Sequence, residues 1–228
     1  MATKDFAHLH VHTEYSMLDG AARLGDLFNY AKELGMSSMA TSDHGFLFGA
    51  FDFWRQAKAH DIKPIIGVEA YLTPGTHRTD RSRVRWGDGS RDDVSGGGAY
   101  THMTMWAETT EGMHNLFRAS SIASLEGQLY KPRMDREVLQ TYSKGLIATT
   151  GCPSGEIQTR LRLGQFDEAL QAASDFRDIF GKDNFYCEVM DHGLDIERNV
   201  QEDLHRLAKQ LNLPYVATND LHYTRQED

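Results

Sequence analysis

Apolar residues along the chain fall into short runs separated by longer amphipathic stretches. The short runs read as strands near Ala7–His10, Ser38–Thr41, Ile65–Val68, Thr101–Trp106, Gly145–Thr149, Phe185–Val189 and Tyr215–Thr218. Between them, a period near 3.6 predicts helices over Leu24–Leu34, Phe48–His60, Glu111–Ser124, Asp135–Tyr142, Ser154–Leu161, Phe166–Phe180 and Asp195–Leu211. The clearest is "GQFDEALQAASDFRDIFG", where Phe166, Ala169, Leu170, Ala173, Phe176, Ile179 and Phe180 share one face. Gly35, Gly181 and Pro214 stand where helices should stop. Strand–helix alternation of this kind argues for a parallel sheet, open or closed into a barrel.

One segment interrupts the pattern. Residues 76–98, "THRTDRSRVRWGDGSRDDVSGGG", are rich in Arg, Asp and Gly and read as an exposed, mobile loop. Arg78, Arg81, Arg83, Arg85 and Arg91 are candidates for touching DNA, but Asp80, Asp88, Asp92 and Asp93 nearly balance them, which favours a solvated loop. There is no internal repeat. The chain stops at "NDLHYTRQED", just past the last strand and without a helix to complete the final unit. Residues 1–228 therefore read as a single domain cut from a larger parent.

Composition narrows the class. A length of 228 residues suits one large domain. No apolar run approaches the roughly 18 residues of a membrane span, and "MATKDF" lacks the basic-then-apolar character of a secretory leader. Two cysteines do not make a disulfide framework, so reduced thiols in a cytoplasmic protein are expected. The net charge of −9 (24 Lys and Arg against 33 Asp and Glu) argues against broad nucleic-acid binding by the bare surface, although not against a local site.

Eleven histidines are many for this length, and their placement is informative. "FAHLHVHTEYSMLDG" alternates His8, His10 and His12, and Asp19 follows. His44 ends the second strand in "MATSDHG", and Glu69 ends the third in "IIGVEAY". His102 lies on or beside the fourth. Cys152 follows a later strand in "IATTGCPSGE", and Asp220 and His222 follow the last in "YVATNDLH". At the mouth of a parallel barrel such strand ends converge. Residues i and i+2 of a strand share a face, which pairs His10 with His12 and Asp220 with His222. Imidazole, carboxylate and thiolate together suit zinc, and the thiolate disfavours magnesium or calcium. Each residue also has an ordinary reading: Asp43 as a helix cap, Cys152 as a small buried residue, His102 as structural, and His8, earlier in its strand, as a core or supporting histidine. Their joint placement at strand ends favours a metal site.

The stretches "HLHVHTEYSMLDGA", "SDHGFLFGAFDFWRQAKAHDIKPIIGVEAYL", "YKPRMD", "IATTGCPSGEI" and "YVATNDLHY" resemble the polymerase and histidinol phosphatase (PHP) domain family. "YSMLDG" and "KPIIGVEAY" point to its polymerase branch, the N-terminal domain of bacterial replicative polymerase III alpha subunits. The resemblance runs from Phe6 to Tyr223. It implies a distorted (β/α)7 barrel, TIM-like, holding up to three divalent ions through nine ligands. Carried over, His10, His12 and Asp220 hold the first ion. Glu69 bridges to a second, completed by His102 and Cys152. Asp19, His44 and His222 hold the third. Zn2+ is the expected metal, with Mn2+ or Fe2+ as alternatives.

The resemblance further implies metal-dependent phosphodiester hydrolysis. Its expected form is 3′→5′ exonuclease proofreading, with His10, His12, Asp19, Glu69 and Asp220 as the catalytic set. Expected partners are a DNA primer 3′ end, the remainder of a polymerase chain and other replisome subunits in the bacterial cytoplasm, with no membrane. Asp19, Glu69, Cys152 and Asp220 contribute about −4, and three divalent ions would turn the pocket positive inside an acidic protein. Lys131 and Arg133 are candidates for phosphate binding and Tyr15 for stacking on a base. Two other readings stay open: a phosphatase for small esters, and a metal-stabilised structural module of the polymerase.

Overall fold

The computed structural model describes residues 6–90 and 93–228, so Arg91 and Asp92 of the arginine-rich loop lie outside the described residues. The elements run α1 (Leu24–Glu33), β1 (Ser38–Thr41), α2 (Ala50–His60), β2 (Lys63–Leu72), a short turn α3 (Ser95–Gly98), β3 (Thr101–Ala107) and α4 (Thr110–Glu126). They continue with β4 (Gln128–Leu129), β5 (Lys131–Met134), α5 (Arg136–Tyr142), β6 (Leu146–Thr149), α6 (Glu156–Arg162), α7 (Phe166–Phe180), β7 (Phe185–Val189), α8 (Asp195–Leu211) and β8 (Tyr215–Ala217).

Local chemistry sets the ends of these helices. Thr109 and Asp135 cap α4 and α5 by accepting from the amides of Gly112 and Val138, both at 3.0 Å. Helices α2 and α8 stop where Asp61 and Asn212 turn left-handed, at φ 57° and 52°. The apolar stripe of α7 is buried at Ala169, Ala173, Phe176 and Phe180, as its period predicts.

The sheet runs β4-β5-β2-β3-β6-β7-β8, with β1 also beside β2. Most neighbours are parallel, but β3 runs antiparallel to both β2 and β6. This corrects the expectation of an all-parallel sheet. Among the described residues no long helix follows β2: the chain leaves at Leu72 and re-enters at Thr101 from the same end. Without a crossover to carry the chain back, the next strand must reverse.

A second departure concerns the expected first strand, Ala7–His10. It forms no ladder. On one side Ala40 N donates to His8 O (2.8 Å) and Ser42 N to Val11 O (2.9 Å), a step of two residues from Ala40 but of three from His8. One extra residue breaks the register, as a bulge does. On the other side His12 N donates to Leu221 O (2.7 Å) and Leu221 N to His10 O (3.0 Å). The indole of Trp106 also holds Leu9 O at 2.9 Å. This irregular seam links β1 to the segment after β8 and curls the sheet toward a distorted barrel.

The β4–β5 hairpin in "QLYKPRM" was not expected. It is too short for periodicity to register, and it turns at Tyr130 with φ 60°. The larger core lies between β2, β3, β6, β7 and helices α4–α8, and a smaller one between β1, β2, α1 and α2. No helix among the described residues is long and apolar enough to cross a membrane. The arginine-rich segment is tied down at several points. Arg78 pairs with Glu126, Asp135 and Glu137, and Trp86 lies 3.7 Å from the Arg160 guanidinium.

Candidate metal centre

Sharp turns bring the first candidates to the barrel mouth. After Thr13 the chain folds back on itself, with Ser16 N bonded to Thr13 O and Gly20 N to Ser16 O. A Cβ on Gly20 would sit 2.0 Å from Thr13 O, so only glycine lets this loop present Asp19. At the end of β1, Gly45 takes φ +68° against the ring of Tyr71, which seats His44 over the mouth. His102 begins β3. Because that strand is reversed, its start shares the end of the barrel at which β2 delivers Glu69. Asp220 adopts φ 42°, a conformation rare outside glycine, asparagine and aspartate and often found at working sites.

All nine expected ligands meet in one continuous network. Asp220 Oδ1 lies 3.2 Å from both His10 Nε2 and His12 Nε2, and 3.3 Å from His222 Nε2. Glu69 sits at the centre. One oxygen is 2.6 Å from His44 Nδ1 and 3.4 Å from His12 Nε2, and the other is 3.0 Å from His102 Nδ1 and 3.1 Å from Cys152 Sγ. Asp19 joins His44 at 3.1 Å and His222 at 4.0 Å. His10, His12 and Glu69 are buried, whereas Asp19 is half exposed at the rim. His8 stands apart, with its ring edge-on to Phe6.

Hydrogen bonds behind the cluster fix which imidazole nitrogen faces inward. The Ser16 hydroxyl donates to Asp43 (2.9 Å), so it can only accept from His12 Nδ1–H at 2.9 Å. His12 Nε2 is then a bare lone pair. Asp43 also accepts from Thr13 N (2.7 Å), Thr13 Oγ1 and Thr41 Oγ1. It anchors the Ser16 turn, and its ordinary reading as a helix cap fails, since α2 starts at Ala50 behind Gly49. Behind His10, the fully buried Glu188 accepts from His10 Nδ1–H at 2.8 Å, from Thr149 Oγ1 at 2.5 Å and from Thr218 Oγ1 at 2.6 Å. This turns His10 Nε2 inward, open to a proton or a cation. Such backing of ligand histidines is usual at metal sites.

The inward atoms therefore face one another without hydrogen-bond geometry. His10 Nε2, His12 Nε2, His44 Nδ1, Glu69 Oε2 and Asp220 Oδ1 are buried with no hydrogen bond. Acceptors crowded against acceptors cost several kcal/mol unless a cation lies among them. Protons show the same demand. Burial opposes ionisation of Glu69, yet His102, His10 and His44 hold its pKa well below the usual carboxylate range. Burial likewise opposes charge on His10, but Glu188 and Asp220 outweigh it and raise its pKa. A proton or a metal ion can satisfy the same spot. Burial, then Glu69 and Asp220, pushes the Cys152 thiol up, so without a cation it stays protonated and donates to Glu69. Three groups bring ligand atoms close together: His10 with His12 and Asp220, His12 with His44 and Glu69, and Glu69 with His102 and Cys152, a donor set that suits zinc. The expected trio of Asp19, His44 and His222 is not among them, with Asp19 4.0 Å from His222. A fourth group of His77, Asp135 and Glu137 is different, because Arg78 already neutralises its carboxylates.

A model of the PHP domain matches residues 8–192. The chain belongs to the PHP domain family. This PHP domain is 60% identical to the DNA polymerase III subunit alpha of Saccharopolyspora erythraea, a match covering 98% of this chain and 19% of that one. It spans about a fifth of the length of the curated relatives it matches. Two solved structures share its fold. One is an amidohydrolase from Chromobacterium violaceum (TM-score 0.55, 13% identity, covering 97% of this chain and 89% of that one). The other is a two-domain protein from Bacteroides vulgatus containing a predicted PHP-like metal-dependent phosphoesterase (TM-score 0.54, 15% identity, covering 97% and 53%).

The expected substrate contacts of the PHP domain separate in the structure. Lys131 and Tyr15 line the mouth. Arg133 does not: it is 1% exposed, and its guanidinium is spent on the carbonyls of Gly127, Ala99, Arg78 and Asp80 at 2.8–3.1 Å. This overturns its expected role with phosphate. Arg133→Met should cost about 3 kcal/mol or more in urea unfolding, since it strands several buried carbonyls. Metal content per folded molecule should stay unchanged. The sequence does not announce Glu188 or Ser16 as supports, and it offers Asp43 only as a helix cap. Only Glu188 carried a signal there, as a lone carboxylate inside the apolar strand "FYCEV".

Proposed function

We propose that the PHP domain is a metal-dependent phosphodiesterase acting as a 3′→5′ exonuclease on DNA, a proofreading activity within a polymerase III alpha subunit. The observation that carries this reading is the set of five buried, unpartnered ligand atoms converging at the barrel mouth. His10, His12 and Asp220 would hold one ion, and Glu69, His102 and Cys152 a second. Asp19, His44 and His222 would hold a third at the rim. Bound divalent ions supply Lewis acidity and a nucleophile competent near neutral pH. The protein's part is to place ligands. Glu188 and Ser16 fix the histidine tautomers, and Glu69 gathers imidazoles around one carboxylate. Half-exposed Asp19 marks the side from which a phosphate can approach. Zinc fits the thiolate and imidazole donors best.

The test is digestion of a primer labelled at either end, with and without chelator, alongside Asp19→Asn. Expected is stepwise shortening from the 3′ end that stops with chelator and in the variant. Intact DNA with metal still bound would instead favour the structural role.

A further inference from the structure

Beside the histidine cluster lies a cavity of about 470 Å³. It shares Asp19, His44 and His102 with the cluster, but its other walls are of a different character. Phe46 and Phe48 stack there with centroids 4.5 Å apart, and Phe48 is 66% exposed. Tyr71 and Tyr100 meet edge-on at 4.8 Å. The ammonium of Lys131 lies 5.3 Å from the centre of the Tyr71 ring. A bare phosphate has no use for such walls. They match a flat ring with two apolar faces, joined to an anion that reaches the histidines.

We propose that this cavity is a subsite for the terminal nucleobase of the DNA strand, with Lys131 on the adjoining phosphate. The inference rests on the phosphodiesterase reading and narrows its substrate. A base inside a duplex has its faces covered by its neighbours, so it must leave the stack to enter a concave aromatic pocket. The substrate is then a single-stranded or frayed 3′ nucleotide. A mispaired end, which unstacks at lower cost, enters more readily than a paired one.

Binding measures this without turnover. Calorimetry on the metal-loaded chain would compare thymidine 5′-monophosphate with 2-deoxyribose 5-phosphate, which lacks the base. Expected is a preference of about tenfold for the nucleotide, the size of one base–aromatic stack. Phe48→Ala should erase most of it and leave the sugar phosphate unaffected, while Lys131→Ala should weaken both alike. Equal affinity for the two ligands, or a Phe48→Ala loss shared by both, would overturn the subsite. Hydrolysis of methyl 4-nitrophenyl phosphate, a diester without a base, tests the underlying reading separately. No turnover with metal bound would sink the phosphodiesterase reading, and the binding ratio would still decide the pocket.

Discussion

Glu69→Gln is expected to empty the metal centre and abolish hydrolysis. Glu69 is the one carboxylate that touches most of the cluster, with His10, His12, His44, His102 and Cys152 all within 3.6 Å of its oxygens. The amide keeps the shape but loses the charge, and it turns an NH2 toward atoms that need a cation. Losing an outer partner of a metal ligand typically costs about 10- to 100-fold in affinity. Loss of a shared ligand should exceed that, with more than about a hundredfold loss of hydrolysis. Metal per chain after dialysis, read beside hydrolysis of a labelled primer, checks both. A variant that keeps its metal and its activity would remove Glu69 from the centre.

The second large effect belongs to a residue that touches no substrate. Glu188 is fully buried, and three groups point at it: His10 Nδ1, Thr149 Oγ1 and Thr218 Oγ1. Truncating it to alanine strands all three in a site without water access. Removing one partner of a buried charged pair costs about 3–5 kcal/mol, so Glu188→Ala should lower the unfolding midpoint sharply. Glu188→Gln is the more telling variant. Its amide oxygen can still accept from His10, but its NH2 meets a threonine hydroxyl that was donating. Stability should recover in part, while zinc affinity stays about tenfold or more below that of the unaltered protein, because the imidazole is less firmly oriented. If both variants bind zinc normally once corrected for the unfolded fraction, Glu188 is structural alone.

Much of this candidate centre was legible in the sequence because the residues it brings together lie where alternation and strand ends are visible. The pairs His10 with His12 and Asp220 with His222 stand out without a structure. Periodicity likewise placed α7 and α8, whose apolar stripes are long. What stayed hidden depends on contacts across the fold. Nothing local in "THMTMWA" announces that β3 runs backwards; that follows from the missing helix between residues 73 and 100. Arg133 in "YKPRMD" has the composition of a phosphate-binding residue. Only the tertiary fold reveals the four carbonyls that enclose it. Glu188 and Asp43 are similar: a buried carboxylate is recognised by its donors, and those come from residues far away in the chain.

The irregular seam between residues 8–13 and Leu221 would give a bound metal ion a topological role. His10 and His12 lie on one side of it, Asp220 and His222 on the other, about two hundred residues apart along the chain. An ion held across that gap ties a loop of nearly the whole domain, much as a cross-link would. By loop-closure reckoning such a tie restricts the unfolded chain by about 5 kcal/mol. Few backbone bonds hold the seam on their own. Its closure is a contact between distant segments, which folding chains make late. Stripped of metal, the domain should therefore open first along this line, with amides such as those of His12 and Leu221 exchanging early while β2 and β3 remain protected.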